Sequence, residues 1–103
     1  MLKVYIAGPI SGIEDGNKEA FQKVEDYLVS LGYEVVNPHK LPQEHDMSWE
    51  SFMRECIPEI CGCQEMVMLK GWRDSRGARL EYLIGKELGL KIHESYADSE
   101  ENK

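Results

Sequence analysis

Short apolar runs alternate with helical patterns along the chain. Four runs rich in β-forming residues predict strands at 3–7, 33–37, 65–69 and 90–93. Between them, three stretches carry apolar residues at helical spacing. The first has Phe21, Val24, Tyr27, Leu28 and Leu31; the second has Trp49, Phe52, Met53, Cys56, Ile57, Ile60 and Cys61; the third has Leu80, Leu83, Ile84 and Leu88. Because a strand–helix–strand order implies a right-handed parallel crossover, the pattern predicts an α/β fold with the first strand at the centre of a parallel sheet.

Residues that begin, end or interrupt helices accompany these patterns. Asn17 and Ser48 precede the first two helices, and their short polar side chains can accept bonds from the free amides of a first turn. Gly32 follows the first helix, at a position where a left-handed residue is favoured. Pro58 falls inside the second pattern and predicts a kink, because proline removes one backbone bond.

The third helix carries the residue that most strongly suggests chemistry, Glu81. Asp74 or Ser75 can cap this helix, which starts at the carboxyl end of a strand, where open α/β sheets bind ligands. Gly77 and Gly85 flank Glu81 along one stripe of the helix. Two interpretations stay open. Either the glycines leave room for a ligand beside the carboxylate, or they allow close helix–strand packing while Glu81 is solvated.

The loop after the first strand has a glycine at each end and consists of Gly8, Pro9, Ile10, Ser11 and Gly12. Backbone amides in such a loop can hold a phosphate or a sugar hydroxyl, as glycine-rich loops before helices do. The spacing is neither that of a dinucleotide-binding loop nor that of a nucleoside-triphosphate loop. The alternative interpretation is a plain turn.

Three aromatic residues are candidates for contact with a ligand or with the catalytic group. Trp72 precedes the third helix and can stack on a nucleobase, whereas Trp49 has a core-facing position and is expected to pack. Tyr5 is near the end of the first strand, where its hydroxyl can reach a carboxylate on a neighbouring helix. The alternative for Tyr5 is a half-buried aromatic of the kind common in sheets.

Length, charge and composition narrow the classes of function. The chain has 103 residues, enough for one domain, which we place at 1–93, followed by an acidic tail at 94–103. A net charge of −7 argues against binding to nucleic-acid polymers or anionic membranes, although a small anion can still bind to local amides. Without a membrane-length apolar run or a signal-peptide pattern, and with three cysteines that fit reduced thiols, we expect a cytoplasmic protein.

The candidates for metal binding are Cys61, Cys63, His39 and His45, but their spacing matches no common zinc site. Cys56 and Cys61 fall on the apolar face of the second helix and are expected to be buried structural thiols. We therefore expect neither a metal ion nor another cofactor.

The second helix also predicts self-association. Its apolar stripe is wider than one four-stranded sheet is expected to cover, and an exposed apolar patch generally marks an association surface. A domain of this length buries a modest core, so association would stabilise it. We therefore expect a homo-oligomer, at least a dimer, with the second helix at or beside the interface.

Three blocks occur in the same order as in a known enzyme family and span nearly the whole chain. They are Tyr5-Ile6-Ala7-Gly8-Pro9-Ile10-Ser11-Gly12, the strand at 33–38, and Ser75-x-Gly77-x-x-x-Glu81. Together they resemble the nucleoside 2-deoxyribosyltransferase superfamily, which includes the 2′-deoxynucleoside 5′-monophosphate N-glycosidases. The Gly-Trp pair before the last block is similar to a compact, often phage-borne branch. The resemblance implies a three-layer, flavodoxin-like (Rossmann-like) parallel sheet with strand order 2-1-3-4 and helices on both faces.

The same resemblance implies cleavage or transfer at the N-glycosidic bond of a nucleoside or nucleotide. Glu81 is at the position of the glutamate that attacks the anomeric carbon, and Tyr5 is at that of the tyrosine that orients it. Ser75 matches a serine that contacts the 5′-phosphate in some hydrolase members. The expected substrate-binding residues are Gly8, Pro9, Ile10, Ser11, Gly12, Trp72, Ser75 and Gly77. A carboxylate nucleophile of this kind forms a covalent glycosyl intermediate, as in retaining glycosidases.

Two positions favour a different class of function. Family members commonly have acidic residues on the second helix and just before the third strand, where this chain has Cys56 and Gln64. The aspartate on the second helix is the family's candidate to protonate the leaving base, a role that suits a neutral thiol poorly. The alternative to an enzyme is a non-catalytic module that binds a nucleotide or nucleotide-sugar, also through Ser75, Gly8 and Gly12.

Overall fold

The computed structural model describes residues 1–42 and 48–94. Its strands are β1 (Lys3–Ala7), β2 (Glu34–Val36), β3 (Glu65–Met68) and β4 (Lys91–Glu94), and its helices are α1 (Lys18–Ser30), α2 (Trp49–Cys61) and α3 (Arg76–Glu87). Short 3-10 turns cover Glu14–Asn17, Pro38–Lys40 and Trp72–Asp74. The strands pair in parallel in the order β2-β1-β3-β4, so the predicted sheet and its strand order are confirmed.

The strand ends differ from the predicted ones by at most one residue. Tyr33 and Leu90 are outside the strands because their amides donate back to the preceding helices, to the carbonyls of Leu28 and Gly85. Glu94 is the last residue of β4, so it belongs to the domain and not to the predicted tail. The rest of that tail, like His45, lies outside the described residues.

β1 is buried on both sides, because helices cover both faces of the sheet. Val4 and Ile6 pack with α1 on one face. Tyr5 and Ala7 point to the opposite face, where residues of α2 and α3 complete the core. The predicted three layers are thus confirmed, and the alternation along β1 directs Tyr5 toward the layer that contains α3.

Two of the predicted helix caps are confirmed and one is wrong. Ser48 and Ser75 each accept a bond from a first-turn amide, at 3.1 and 3.3 Å. Gly32 follows α1 with the expected positive φ, 92°. Asn17 does not cap α1, because its own backbone is left-handed (φ 65°) and its side-chain amide donates to the Pro9 carbonyl at 3.1 Å. Asn17 therefore ties the loop after β1 to the start of α1.

The predicted apolar face of α3 is wrong in part. Ile84 packs against the core and Leu80 is half-buried, but Leu83 and Leu88 are each 53% exposed. The buried residues of the helix are instead Ala78, Glu81 and Gly85. A Cβ atom at Gly85 would lie 2.8 Å from Met66 Cε of β3, so a larger residue here would require the end of the buried methionine to move. Glu81 shares the buried face because it lies four residues, about one turn, before Gly85.

The apolar stripe of α2 is used within the molecule. Its buried residues are Met53, Cys56 and Ile60, while Trp49, Phe52 and Ile57 are half-buried. The helix continues through Pro58 to Cys61. Cys61 is exposed, so its prediction as a buried thiol is wrong. In the described ranges the strongly exposed large hydrophobic residues lie elsewhere, which removes the reason for placing an interface at α2.

Candidate active site

A cavity of about 460 Å³ opens at the carboxyl ends of β1, β2 and β3. Its floor and walls come from the loop after β1, the first turns of α2 and the first half of α3. The edge formed by the carboxyl ends of parallel strands is where open α/β sheets bind ligands, and this volume is within the range of small-molecule sites. The cavity is therefore the candidate active site.

Glu81 and Tyr5 form a buried pair at this cavity. The Tyr5 hydroxyl donates a hydrogen bond to Glu81 Oε2 at 2.6 Å, although the two residues lie 76 positions apart in the sequence. Tyr5 is fully buried, whereas Glu81 keeps 5% of its surface and lines the cavity. The interpretation of Glu81 as a solvated surface residue is therefore wrong. The tyrosine holds one carboxylate oxygen, which leaves the other free to meet a ligand.

Burial shifts the protonation of both partners. Desolvation raises the pKa of Glu81 to about 7, and the hydrogen bond from Tyr5 works against this rise by favouring the carboxylate. Burial, and then the nearby Glu81 charge, hold the pKa of Tyr5 well above its ordinary value, so Tyr5 remains a donor. A poorly solvated carboxylate that is held by one strong donor is a more reactive nucleophile than a hydrated one.

Cys56 lies behind this pair and is fully buried. Burial raises the pKa of its thiol to about 12, and the neighbouring Tyr5 hydroxyl works against this rise. Cys56 and Tyr5 belong to the same core cluster, and Cys56 does not line the cavity. Gln64 lies at the opposite edge of the sheet, where its Oε1 accepts the Lys3 amide at 2.8 Å.

The loop after β1 reaches the cavity with part of its length. Gly8, Ile10 and Ser11 line the cavity, whereas Pro9 and Gly12 do not. A Cβ at Gly8 would lie 2.7 Å from Leu69 Cβ, so glycine is required for the chain to leave the sheet at this point. This loop therefore contributes Gly8, Ile10 and Ser11 to the lining that a ligand would meet.

The glycines near Glu81 have a packing role. Gly85 lets α3 approach β3, as described above, which confirms the interpretation of close helix–strand packing. A Cβ at Gly77 would lie 3.3 Å from Met53 Sδ and 3.4 Å from Trp49 Nε1, so Gly77 brings the start of α3 against α2. Gly77 lines the cavity as well. The close helix pair forms one wall of the site.

Ser75 lines the cavity, but Trp72 does not. The Trp72 ring is buried and stacks on Tyr82 with the ring centres 4.6 Å apart, and its Nε1 donates to Glu94 at 3.4 Å. These contacts hold the ring against Tyr82 of α3 and Glu94 of β4. In this structure Trp72 and the cavity are therefore separate.

The tryptophan that does line the cavity is Trp49, which sequence reasoning assigned to packing alone. Beside it lies Arg76, whose guanidinium carbon is 3.5 Å from the centre of the Trp49 ring. Arg76 was missed because nothing in its local sequence distinguishes it from Arg73 or Arg79. A usable signal was the capping residue Ser75, since the residue after a helix cap lies at the same end as the ligand.

The described residues contain no group of three or more His, Cys, Asp or Glu side chains placed to hold a metal ion. Cys63 is buried and donates to the Glu59 carbonyl at 3.3 Å, while Cys61 is exposed. Within the same part of the chain, no helix combines the length and apolar character needed to cross a membrane.

The fold and this cavity define a flavodoxin-like α/β protein with a buried tyrosine–glutamate pair at its ligand-binding edge. The chain belongs to the family described as "Domain of unknown function (DUF4406)", which matches residues 2–94. No curated protein matches the sequence.

Solved structures of two enzymes share the fold. The 2-deoxyribosyltransferase of Bacillus psychrosaccharolyticus has a TM-score of 0.68 at 23% identity, over 89% of this chain and 70% of that one. The CMP N-glycosidase of Clostridium botulinum has a TM-score of 0.63 at 20% identity, over 89% of this chain and 66% of that one. Both belong to the superfamily that the sequence blocks resemble, so the flavodoxin-like fold implied by that resemblance is confirmed.

Proposed function

We propose that this protein cleaves or transfers the N-glycosidic bond of a nucleoside 5′-monophosphate, with Glu81 as the nucleophile. The observation that carries this proposal is the hydrogen bond between Tyr5 and Glu81, which holds a desolvated carboxylate at the wall of a ligand-sized cavity. The two solved structures with the same fold are a deoxyribosyltransferase and a nucleotide N-glycosidase, which supports this reaction class.

The reaction proceeds in two displacements. One Glu81 oxygen bonds to the anomeric carbon while the bond from that carbon to the base nitrogen breaks and its electron pair leaves with the base. Water, or a second base, then attacks the same carbon, and Glu81 departs as a carboxylate. The leaving base takes up one proton from water, and the water or base that attacks in the second displacement gives up one proton, so the protons balance over the two steps.

Release of free base tests the proposal directly. Deoxyribo- and ribonucleoside 5′-monophosphates of the common bases are incubated with the protein, and free base is measured by chromatography. We expect base release from at least one nucleotide, and release from none would contradict the proposed reaction.

A second candidate is a non-catalytic module that binds the same class of ligand. The observation that favours it is Cys56, a buried thiol whose raised pKa keeps it protonated and which does not line the cavity. For this function we expect saturable nucleotide binding by calorimetry without any base release.

We predict that nucleoside 5′-monophosphates bind at least tenfold more tightly than the matching nucleosides. The Ser75 hydroxyl accepts the Ala78 amide but keeps its own proton to donate, and the Gly8 to Ser11 backbone lines the same cavity. Hydrogen bonds to an ionised phosphate are about twice as strong as neutral ones. Calorimetric titration with both ligand classes provides the comparison, and equal affinities would contradict the assignment of a phosphate subsite.

We also propose a homo-oligomer, with α3 in place of α2 at the interface. The exposed Leu83 and Leu88 lie on the outer side of α3, and an apolar surface of this kind favours association. Light scattering at micromolar concentration should give at least twice the 11.8 kDa of one chain, and Leu83→Lys with Leu88→Lys should reduce that mass. A parent mass near 11.8 kDa with full activity would show that one chain suffices.

A further inference from the structure

One segment beside the cavity is basic, although the chain as a whole is acidic. The net charge is −7, yet the segment 70–80 carries Lys70, Arg73, Arg76 and Arg79 against a single acidic residue, Asp74. Two of these cations are engaged with their surroundings: Arg73 pairs with Glu94 at 3.4 Å, and Arg79 donates to the Arg73 carbonyl at 3.1 Å. Of the described residues that line the cavity, Arg76 alone carries a positive charge.

Arg76 is held in place without using its hydrogen-bond donors. Its guanidinium carbon lies over the Trp49 ring, 3.5 Å from the ring centre, which is the separation of stacked planes, and the close approach of Trp49 to Gly77 fixes the ring. Among residues 1–42 and 48–94 the guanidinium has no hydrogen-bond or ion-pair partner. Stacking occupies the face of the guanidinium and leaves its N–H edge free, which is the edge that binds carboxylate or phosphate in a fork.

Two helix N-termini point at the same cavity. Ser48 caps α2 and Ser75 caps α3, these helices have 13 and 12 residues, and both caps line the cavity. The free amides and the positive dipole end of each helix favour a negative ligand group. Asp74 and Glu81 line the same space and would repel an anion. A bound phosphate therefore needs the charge of Arg76 to offset these carboxylates.

We propose that Arg76, positioned by Trp49, is the residue that selects a phosphorylated substrate. This inference rests on the proposed function and deepens it. Arg76 precedes Glu81 by five residues, which is about 7.5 Å along the axis of α3. In a nucleotide the anomeric carbon and the 5′-phosphate lie at opposite ends of the sugar. With the anomeric carbon at Glu81, the phosphate extends toward the start of α3, where the guanidinium binds it with Ser75.

The test compares Arg76→Ala and Arg76→Lys, with Arg79→Ala as the matched control on the same helix. Each substitution is made in the parent and in Glu81→Gln, so that binding can be measured without turnover. Ligands are the nucleoside 5′-monophosphates and the matching nucleosides. We expect Arg76→Ala to weaken monophosphate binding about 10- to 100-fold, the usual range for a hydrogen bond to a charged group, and to leave nucleoside binding unchanged. Arg76→Lys should restore part of the loss, and Arg79→Ala should behave as the parent.

The outcomes separate this inference from the proposed function. An equal loss for nucleosides and monophosphates in Arg76→Ala would show a structural role for the Arg76–Trp49 stack and would overturn the inference. An unchanged kcat/KM for monophosphates in Arg76→Ala would also overturn the inference. The base release seen in that experiment would still support the proposed function. Conversely, Arg76-dependent monophosphate binding without base release by the parent would support the inference and contradict the proposed reaction.

Discussion

Glu81→Gln is expected to lower base release at least 1,000-fold at pH 8, where the parent carboxylate is ionised. This loss corresponds to about 4 kcal/mol in the activation barrier, at about 1.4 kcal/mol per tenfold change in rate. The physical reason is that an amide cannot form the glycosyl ester, although it still accepts the Tyr5 hydrogen bond and fills the same space. Glu87→Gln, at the exposed end of α3, is the matched control and should keep the parent rate.

Glu81→Gln should also be more stable toward unfolding than the parent at alkaline pH. Because the folded state raises the Glu81 pKa from 4.5 to about 7, it binds this proton more tightly than the unfolded state. The free energy of unfolding therefore falls by roughly 3 kcal/mol as the pH rises from about 4.5 to about 7. This amount follows from the difference between the Glu81 pKa values of the folded and unfolded states. Glu81→Gln carries no such penalty, so its Tm should exceed that of the parent at pH 8 and approach it near pH 5.

A variant that loses turnover while gaining stability cannot be explained by misfolding. Retention of turnover within about tenfold of the parent, a barrier change of only ~1.4 kcal/mol, would rule out Glu81 as the nucleophile.

Tyr5→Phe is expected to lower turnover about 10- to 100-fold at pH 7 and to move the pH profile upward. The parent rate should rise with pH through about 7, as Glu81 loses its proton. The Tyr5 hydrogen bond favours the carboxylate, so its removal raises the Glu81 pKa and leaves less nucleophile ionised at neutral pH. A hydrogen bond to a charged group is worth about 1.5–3 kcal/mol, which gives the expected loss.

The measurement is kcat/KM between pH 5 and 9.5. Tyr82→Phe is the matched control, because Tyr82 is next to Glu81 on α3 but stacks on Trp72 and lies outside the cavity. This variant should keep the midpoint of the parent's pH profile. Part of the turnover lost in Tyr5→Phe should be recovered above pH 9, where Glu81 is ionised even without the Tyr5 hydrogen bond. A loss that is the same at every pH would assign Tyr5 a packing role only.

The order of strands and helices could be predicted because each element carries its own pattern. β1 is a continuous β-rich run that is buried on both faces, and Ser48 and Ser75 mark helix starts by local hydrogen bonding. The meeting of Tyr5 with Glu81 also followed from the pattern, since parallel strands bring the end of β1 next to the helix after β3.

The orientation of α3 could not be predicted from hydrophobicity, because small size outweighs apolar character at this contact. Leu83 and Leu88 are more hydrophobic than Gly85, yet Gly85 is the residue that lies against Met66 of β3, where a Cβ atom would be 2.8 Å from the methionine. Leu83 and Leu88 are exposed, while Ile84 packs against the core.

The aromatic wall of the cavity depends on contacts between distant segments. Trp49 and Arg76 meet because Gly77 lets the start of α3 approach α2, which no local pattern reports. In the same way, Trp72 is drawn away from the cavity by Tyr82 and by Glu94 of β4. The contact of Cys56 with Tyr5 likewise joins two segments that are remote in the sequence.

The covalent intermediate on Glu81 is tested most directly by trapping it. A nucleoside 5′-monophosphate that the parent cleaves is replaced by its 2′-deoxy-2′-fluoro analogue, whose electronegative fluorine slows breakdown of the glycosyl ester. Mass spectrometry of the intact protein should then show one fluorinated sugar phosphate per chain, and analysis of its digest should place the adduct on the peptide that contains Glu81. Glu81→Gln should carry no adduct. Base release from the natural nucleotide with no adduct on Glu81, or with an adduct on another residue, would contradict Glu81 as the nucleophile.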